Sequence, residues 1–383
     1  MSVPLAWRQL VEDPRRLAAA LAGVVFAVAL MLTELGFRSA MLGAAVRYQE
    51  RLVYDLALIS PSTVFIGLTH PFPRARLYQA AAAEGVQWVS PVYCYQQYWK
   101  NPWRNNRRNL LVVGVDPRRV VLQAAGAATA WDRLAEPDAV LFDALSRPEF
   151  GPVAKRFRAG DTITAEVGER RVRVVGIYEM GSSFGVDGNL LTSDASFLRL
   201  FPERPVDAID IGLVKLRPGV DPEATRERLA AALAGDVEVL TRAGFAAREI
   251  AYWENTTAIG WVFGFGLLMG LVVGGIIVYQ ILFTDVANRL AQYATLRAVG
   301  WSFPRLAAVV LRQAVGLALL GFLPGLAVAW ALYGLAGAAI RMPMAMTWGR
   351  VLGVLLLTIA MCGAAGLLAL RKLATADPTE VFG

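Results

Sequence analysis

Four stretches of the chain lose their charged positions entirely. They are Leu17–Thr33, Asn255–Thr284, Gln313–Ile340 and Val351–Leu370. Each meets or approaches the ~20 apolar residues that a helix needs to cross a hydrocarbon core about 30 Å thick. The pattern predicts four spanning helices, at 17–37, 255–284, 313–340 and 351–370. The first is expected to run on past the bilayer, because "TELGFRSAMLGAAVRYQERLVYDL" holds no Gly-Pro or Asn-Gly break. Pro324 in "GFLPGLAV" predicts a kink, tolerated where neighbouring helices satisfy the freed carbonyl.

Between the first and second runs, residues 38–254 change period. "STVFIGL", "VQWVSPVYCYQQYW", "RNLLVVGV", "VDAIDIGLVKL" and "DVEVLT" are strand-like by their β-branched and aromatic content. "RARLYQAAAAEG" and "DPEATRERLAAALAG" read as helices, the second opened by Asp-Pro. "GDTITAEVGERRVRVVGIYEM" reads as a hairpin about a Gly-Glu turn. The fold class expected is therefore an α-helical membrane protein with four transmembrane helices and a large α+β extracytoplasmic domain between helices 1 and 2. That domain is large enough for two subdomains, with stalk helices at its ends.

Composition agrees with membrane spans: 56% of residues are hydrophobic and only 18% charged. Basic residues set the orientation, counted in short segments. Residues 1–16, an amphipathic N-terminal segment, hold three; 285–312 hold four; the tail 371–383 holds two; the short loop 341–350 between spans three and four holds two. Both termini are thus expected in the cytoplasm, with 38–254 and 341–350 outside. The N-terminal apolar run exceeds the roughly 7–15 residues of a signal-peptide core, so it reads as an uncleaved span.

The formal charge of +7 is scattered, which argues against a nucleic-acid partner. The outer domain carries 27 basic against 25 acidic residues, a net of +2, too little to steer an ionic substrate. Arg104, Arg107 and Arg108 form one basic cluster there, read as a solvated loop or a contact for a partner or lipid headgroup. Catalytic motifs are missing. None of the lysines (Lys100, Lys155, Lys215, Lys372) follows a glycine, so no phosphate-binding P-loop is present. His70 is the only histidine and sits just ahead of Pro71 and Pro73 in a predicted loop, leaving no multi-histidine metal set. Cys94 and Cys362 suggest no disulfide. No catalytic residue, metal or bound cofactor is expected.

Within the second run Gly266, Gly270 and Gly274 repeat every four residues, as do Gly260 and Gly264, which puts them on a helical face suited to close helix–helix contact. That contact is either within the subunit or across a dimer. Glu34 is the acidic residue at the outer end of the first span. It is read as an interfacial carboxylate, or else as a polar residue on a substrate path. After the second run, "FTDVANRLAQYATLRAVGWS" predicts an amphipathic helix. Asp285, Asn288, Arg289, Gln292 and Thr295 lie on one face, with Val286, Leu290, Tyr293 and Ala294 on another, and Gly300 and Pro304 end it. Periodicity leaves two readings open: a surface-anchored linker, or a helix that receives force from a soluble partner.

"VYQILFTDVANRLAQYATLRAVGW" resembles the loop of the FtsX/MacB-type ABC transporter permeases, and most closely their DevC group. "PLAWRQL", "DLALISPSTVFI", "RLYQAAAAEGV", "WKNP", "VVGVDP", "SRPEFGP", "SFGVDGNLLTSDASFLRLF", "GFLPG" and "ATADPTEVF" agree in order over nearly the whole chain. One departure is Leu-Ala-Gln before "YATLRAVGW", where the family often has Pro-Glu. The resemblance implies a homodimer of four-span subunits in the inner membrane, with a MacB-like periplasmic domain. It implies a separate ABC ATPase subunit that binds the ATP, a periplasmic adaptor (membrane fusion) protein and a TolC-like outer-membrane channel. A lipid or glycolipid-like cargo would be pushed from the periplasmic side. Asp285, Asn288, Arg289, Tyr293 and Arg297 would form the ATPase-facing surface. Two other uses of the architecture remain open: an FtsX-like scaffold controlling a cell-wall hydrolase, and a lipoprotein-releasing permease.

Overall fold

The computed structural model describes residues 12–183, 185–233, 235–340 and 344–375; the side chains of 294, 297, 298, 338–340 and 371–375 lie outside that description. Most of the N-terminal segment, the first part of the 341–350 loop and the end of the tail fall outside it too. The chain forms two compact units, one of residues 1–40 with 258–383, the other of residues 41–257.

Among its described residues the first unit holds four helices long and apolar enough to cross a membrane. They are α1 (Pro14–Ala45), α8 (Ala258–Asn288), α10 (Phe303–Ile340) and α11 (Trp348–Thr375), with the short α9 (Leu290–Ala298) after α8. α10 begins ten residues before the predicted third span and runs unbroken through Pro324. α1 packs on α8 and α10, and α11 packs on the same two, so α1 and α11 stand diagonally. The α1–α10 contact uses Gly321 and Gly325, where an added Cβ would come within 2.6 Å and 2.7 Å of Val24 and Val28. Close approach of this kind strengthens packing where no hydrophobic force separates lipid from protein.

The second unit carries α2 (Arg47–Arg51), α3 (Ala75–Ala81), α4 (Val153–Arg158), α5 (Asp194–Leu200), α6 (Pro222–Ala232) and α7 (Arg242–Asn255). Its strands are β1 (Leu56–Ile59), β2 (Phe72–Pro73), β3 (Val86–Lys100), β4 (Arg107–Val115), β5 (Ala139–Asp143), β6 (Ile163–Val167), β7 (Arg170–Tyr178), β8 (Asn189–Ser193), β9 (Ala208–Ile209), β10 (Ile211–Leu216) and β11 (Glu238–Thr241). Nine of them form one sheet in the order β11-β1-β10-β3-β4-β8-β5-β7-β6, with β6 also pairing back onto β3. The fifteen-residue β3 therefore serves twice. Its first half pairs with β10 in an open antiparallel sheet. Its second half closes a six-stranded ring of β3, β4, β8, β5, β7 and β6. Trp99, Leu110, Phe142, Val167, Val174 and Leu190 belong to the core that fills one face of these strands.

The Gly-Glu hairpin is present as β6–β7. "STVFIGL" is not a strand: only an isolated bridge, Phe65 to Leu68, forms there. The strand is the preceding Leu56–Ile59, buried on both faces, while the apolar Ile66 plugs the core from a loop.

Candidate functional site

α8 does not stop where its apolar run ends. Asp285 and Asn288 form its last turn, and Arg289 alone separates it from α9. The Arg289 and Tyr293 amides still bond to the carbonyls of Asp285 and Arg289, at 3.2 Å and 3.0 Å, so the helical path continues. α9 ends where Gly300 adopts φ 98° and the Trp301 amide donates to the Leu296 carbonyl at 3.0 Å, a Schellman-type stop that glycine permits.

The polar side chains at this junction pair with one another, and Arg289 and Asp285 are the most covered. The Arg289 guanidinium, 13% exposed, bonds Asp285 at 3.0 Å and Glu12 at 2.6 Å. Burial alone would lower the Arg289 pKa, but Asp285 and Glu12 more than reverse that and raise it. The Asn288 amide oxygen accepts from Arg16 at 2.8 Å and 3.0 Å once its oxygen and nitrogen are assigned by their partners. Arg16 in turn pairs with Asp13 at 3.0 Å. The buried Gln313 of α10 lines a cavity of about 30 Å³ with Asp13, Arg16 and Asp285. A network of charged hydrogen bonds thus joins the beginning of α1 to the end of α8, and hydrogen bonds to charged groups are the stronger kind.

Three of the five predicted coupling residues, Asp285, Asn288 and Arg289, meet here. Tyr293 does not face outward. It is fully buried with Val286, Leu306, Val310 and Leu370, and burial pushes its phenol up to about 12. The ATPase-facing surface included Tyr293 through the resemblance alone; periodicity had placed it with Val286. Arg297 lies in α9, its side chain outside the described residues. The exposed stripe is Thr284, Asn288, Gln292, Thr295 and Val299. Glu12, Asp13 and Arg16 were missed as partners, although charges bracketing the start of a span were the available signal.

The glycines divide. Gly266, Gly270 and Gly274 face α1: an added Cβ would meet Glu34, Met31 and Ala27, so this contact lies within one chain. Gly274 also lies against Met361 of α11, and a Cβ there would stand 2.9 Å from its sulfur. Gly264 has nothing within 4 Å, and Gly260 is half-buried. The Glu34 carboxyl lies against Gly266.

In the second unit a buried carboxylate joins the segments through which the chain enters and leaves the domain. Glu249 of α7 is 3% exposed. It accepts from Gln49 of α2 at 2.9 Å, from the Ile66 amide at 3.1 Å and from the Trp253 indole at 3.1 Å. Burial pushes it up to about 7, against these three bonds and Arg248, which pull downward.

Comparison with known proteins places both units. A family model described as MacB-like periplasmic core domain matches residues 17–232, and one described as FtsX-like permease C-terminal matches 264–378. Two proteins of Mycobacterium tuberculosis strains, each named an uncharacterized ABC transporter permease (Rv0072 and MT0078), are 24% identical over 367 residues, 94% of this chain and 93% of theirs. Among solved structures, the periplasmic region of MacB from Actinobacillus actinomycetemcomitans is 14% identical and matches with a TM-score of 0.35, over 54% of this chain and 95% of that one. The extracellular domain of YknZ from Gram-positive bacteria, 11% identical, also matches with a TM-score of 0.35, over 49% of this chain and 99% of that one. With the core-domain model covering more than half of its length and the permease model most of the remainder, the chain belongs to the FtsX/MacB-like family of ABC transporter permeases.

Proposed function

We propose that the chain is the permease subunit of a tripartite exporter, of DevC type. It sits in the inner membrane as a homodimer, with both termini in the cytoplasm. A separate ATPase subunit, which holds the nucleotide, docks on α9. A periplasmic adaptor and a TolC-like outer-membrane channel carry the cargo, a lipid or glycolipid, onward. The observation that carries this reading is the network of Glu12, Asp13, Arg16, Asp285, Asn288 and Arg289. It ties together the near ends of α1 and α8, the two helices whose far ends continue into the large domain. A push on α9 would be shared by both rather than bending one. The apolar underside of α9, packed on Leu306, Val310 and Leu370, suits it to transmit such a push.

The test uses the protein reconstituted with its ATPase. Cysteines at exposed Gln292 or Thr295 should cross-link to the ATPase. Arg289→Glu, which sets three carboxylates together, should leave insertion intact while ATP hydrolysis no longer drives export. Unchanged export by that variant, or cross-links absent from both positions, would overturn the assignment.

A further inference from the structure

The basic cluster at the β3–β4 turn is not uniformly solvated. Arg108 is committed, paired with Asp187 and Glu149 at 3.2 Å each. Arg107 is different. In the sheet register Arg107 of β4 stands opposite Lys100 of β3, Lys100 opposite Glu166 of β6, and Glu166 opposite Arg171 of β7. Four charged residues therefore form one row across four strands, on the outside of the ring. Like charges directly opposed in a sheet are destabilising, and Arg107 against Lys100 is such a pair.

Only Glu166 offsets the cations, bonded to Lys100 at 2.8 Å. The Lys100 bond, then Arg171 and Arg107, hold its carboxyl below the usual range. The side chains of Arg107 and Arg171 form no ion pair or hydrogen bond with a described residue. Three cations less one carboxylate leave the row at +2.

A cleft of about 390 Å³ opens beside this row, lined by Lys100, Asn101, Asn105, Thr164, Glu166 and Arg171. Its rim is pre-shaped. Asn101 is 2% exposed and fixes the turn by donating to the Glu149 carbonyl and accepting from the Trp103 and Arg104 amides. Asn105 adopts φ 54° and presents an exposed amide side chain. A dianion is the charge that balances the row, and a phosphate monoester carries about −1.5 to −2 near neutral pH. Guanidinium and amide donors on a fixed turn match its oxygens.

We propose that this cleft binds a phosphoryl group, with Lys100, Arg171 and Asn105 as donors and Arg107 supplying field. The group belongs to a lipid headgroup or to a free phosphate compound. The inference stands on the second unit alone and is independent of the exporter reading.

The test uses the full chain in neutral detergent, with labelled inorganic phosphate in equilibrium dialysis at constant ionic strength. Saturable binding is expected, at least tenfold weaker in the Arg107→Gln, Arg171→Gln double variant. Glu166→Gln frees Lys100 and should tighten binding by at least threefold, an effect that a purely structural ion pair would not produce. Binding of dihexanoyl phosphatidic acid much tighter than phosphate, with dihexanoyl phosphatidylcholine inert, identifies a lipid headgroup; equal affinities identify a free phosphate compound. No saturable phosphate binding, binding equal in all variants, or capture of polyglutamate in place of phosphate would overturn the proposal.

Discussion

Replacing Glu249 with glutamine should remove a pH dependence built into the second unit. The folded carboxyl titrates near 7, against an ordinary value of 4.5. Between those values the folded group keeps a proton that the unfolded chain has released, so unfolding sheds a proton and stability falls as pH rises. Below the lower value and above the upper one this group contributes no slope. The full shift corresponds to about 3 kcal/mol, of which about 2.5 kcal/mol falls between pH 5 and pH 8. For a unit of roughly 200 residues that is about 5–10 °C in midpoint. Glutamine keeps the shape and one acceptor but cannot ionise. Gln49 already holds a buried oxygen without a partner among the described residues, and that oxygen can accept from the protonated acid after an amide flip. Thermal unfolding followed by tryptophan fluorescence, on the full chain in detergent, reads both proteins across that range. The difference between wild type and Glu249→Gln should change by about 2.5 kcal/mol from pH 5 to pH 8, wild type losing ground as pH rises. Curves that run parallel would refute the assignment of a proton to this site.

Three further changes separate packing from polarity. Tyr293→Phe removes a buried hydroxyl that has no hydrogen-bond partner among the described residues, so thermal stability should stay level or rise by up to about 1 kcal/mol. Gly274→Leu forces bulk against Ala27 and Met361 and should cost about 1–3 kcal/mol, seen as a lowered midpoint in detergent, whereas Gly264→Ala, with open space around it, should not. Arg204→Ala strands the fully buried Asp210, which keeps only Thr69 and the Cys94 amide; urea unfolding should show a loss of about 3–5 kcal/mol.

The spans were legible because twenty apolar residues leave little choice, and the hairpin because Gly168-Glu169 interrupts two alternating runs. β1 was not. "LALI" follows a helical pattern without a break, and the apolar "STVFIGL" after it carried the stronger strand signal. What decided the matter was tertiary: Leu56–Ile59 has β10 on one side and β11 on the other, both distant in sequence. At the candidate site, periodicity put Gln292 and Thr295 on the exposed face and Tyr293 with Val286 on the buried one, while the resemblance gave Tyr293 a partner-facing role that its burial does not support. The pairing of Arg289 with Glu12 was hidden, because it joins residues nearly three hundred positions apart.

The ring closed by β3 and β6 has a bearing on solubility. An unpaired strand margin is a template for the next chain, and margins drive edge-to-edge aggregation. Here Lys100, Trp99 and the Tyr98 carbonyl meet Glu166, Val167 and the Gly168 amide, so one end of the nine-stranded sheet is sewn back onto its own middle. Among the described residues the outer borders of that sheet are β11, four residues long, and the three residues of β6 ahead of Glu166. Glu238 at the start of β11 is held by Arg248. Two copies meeting at random would find only short lengths of backbone to stitch to.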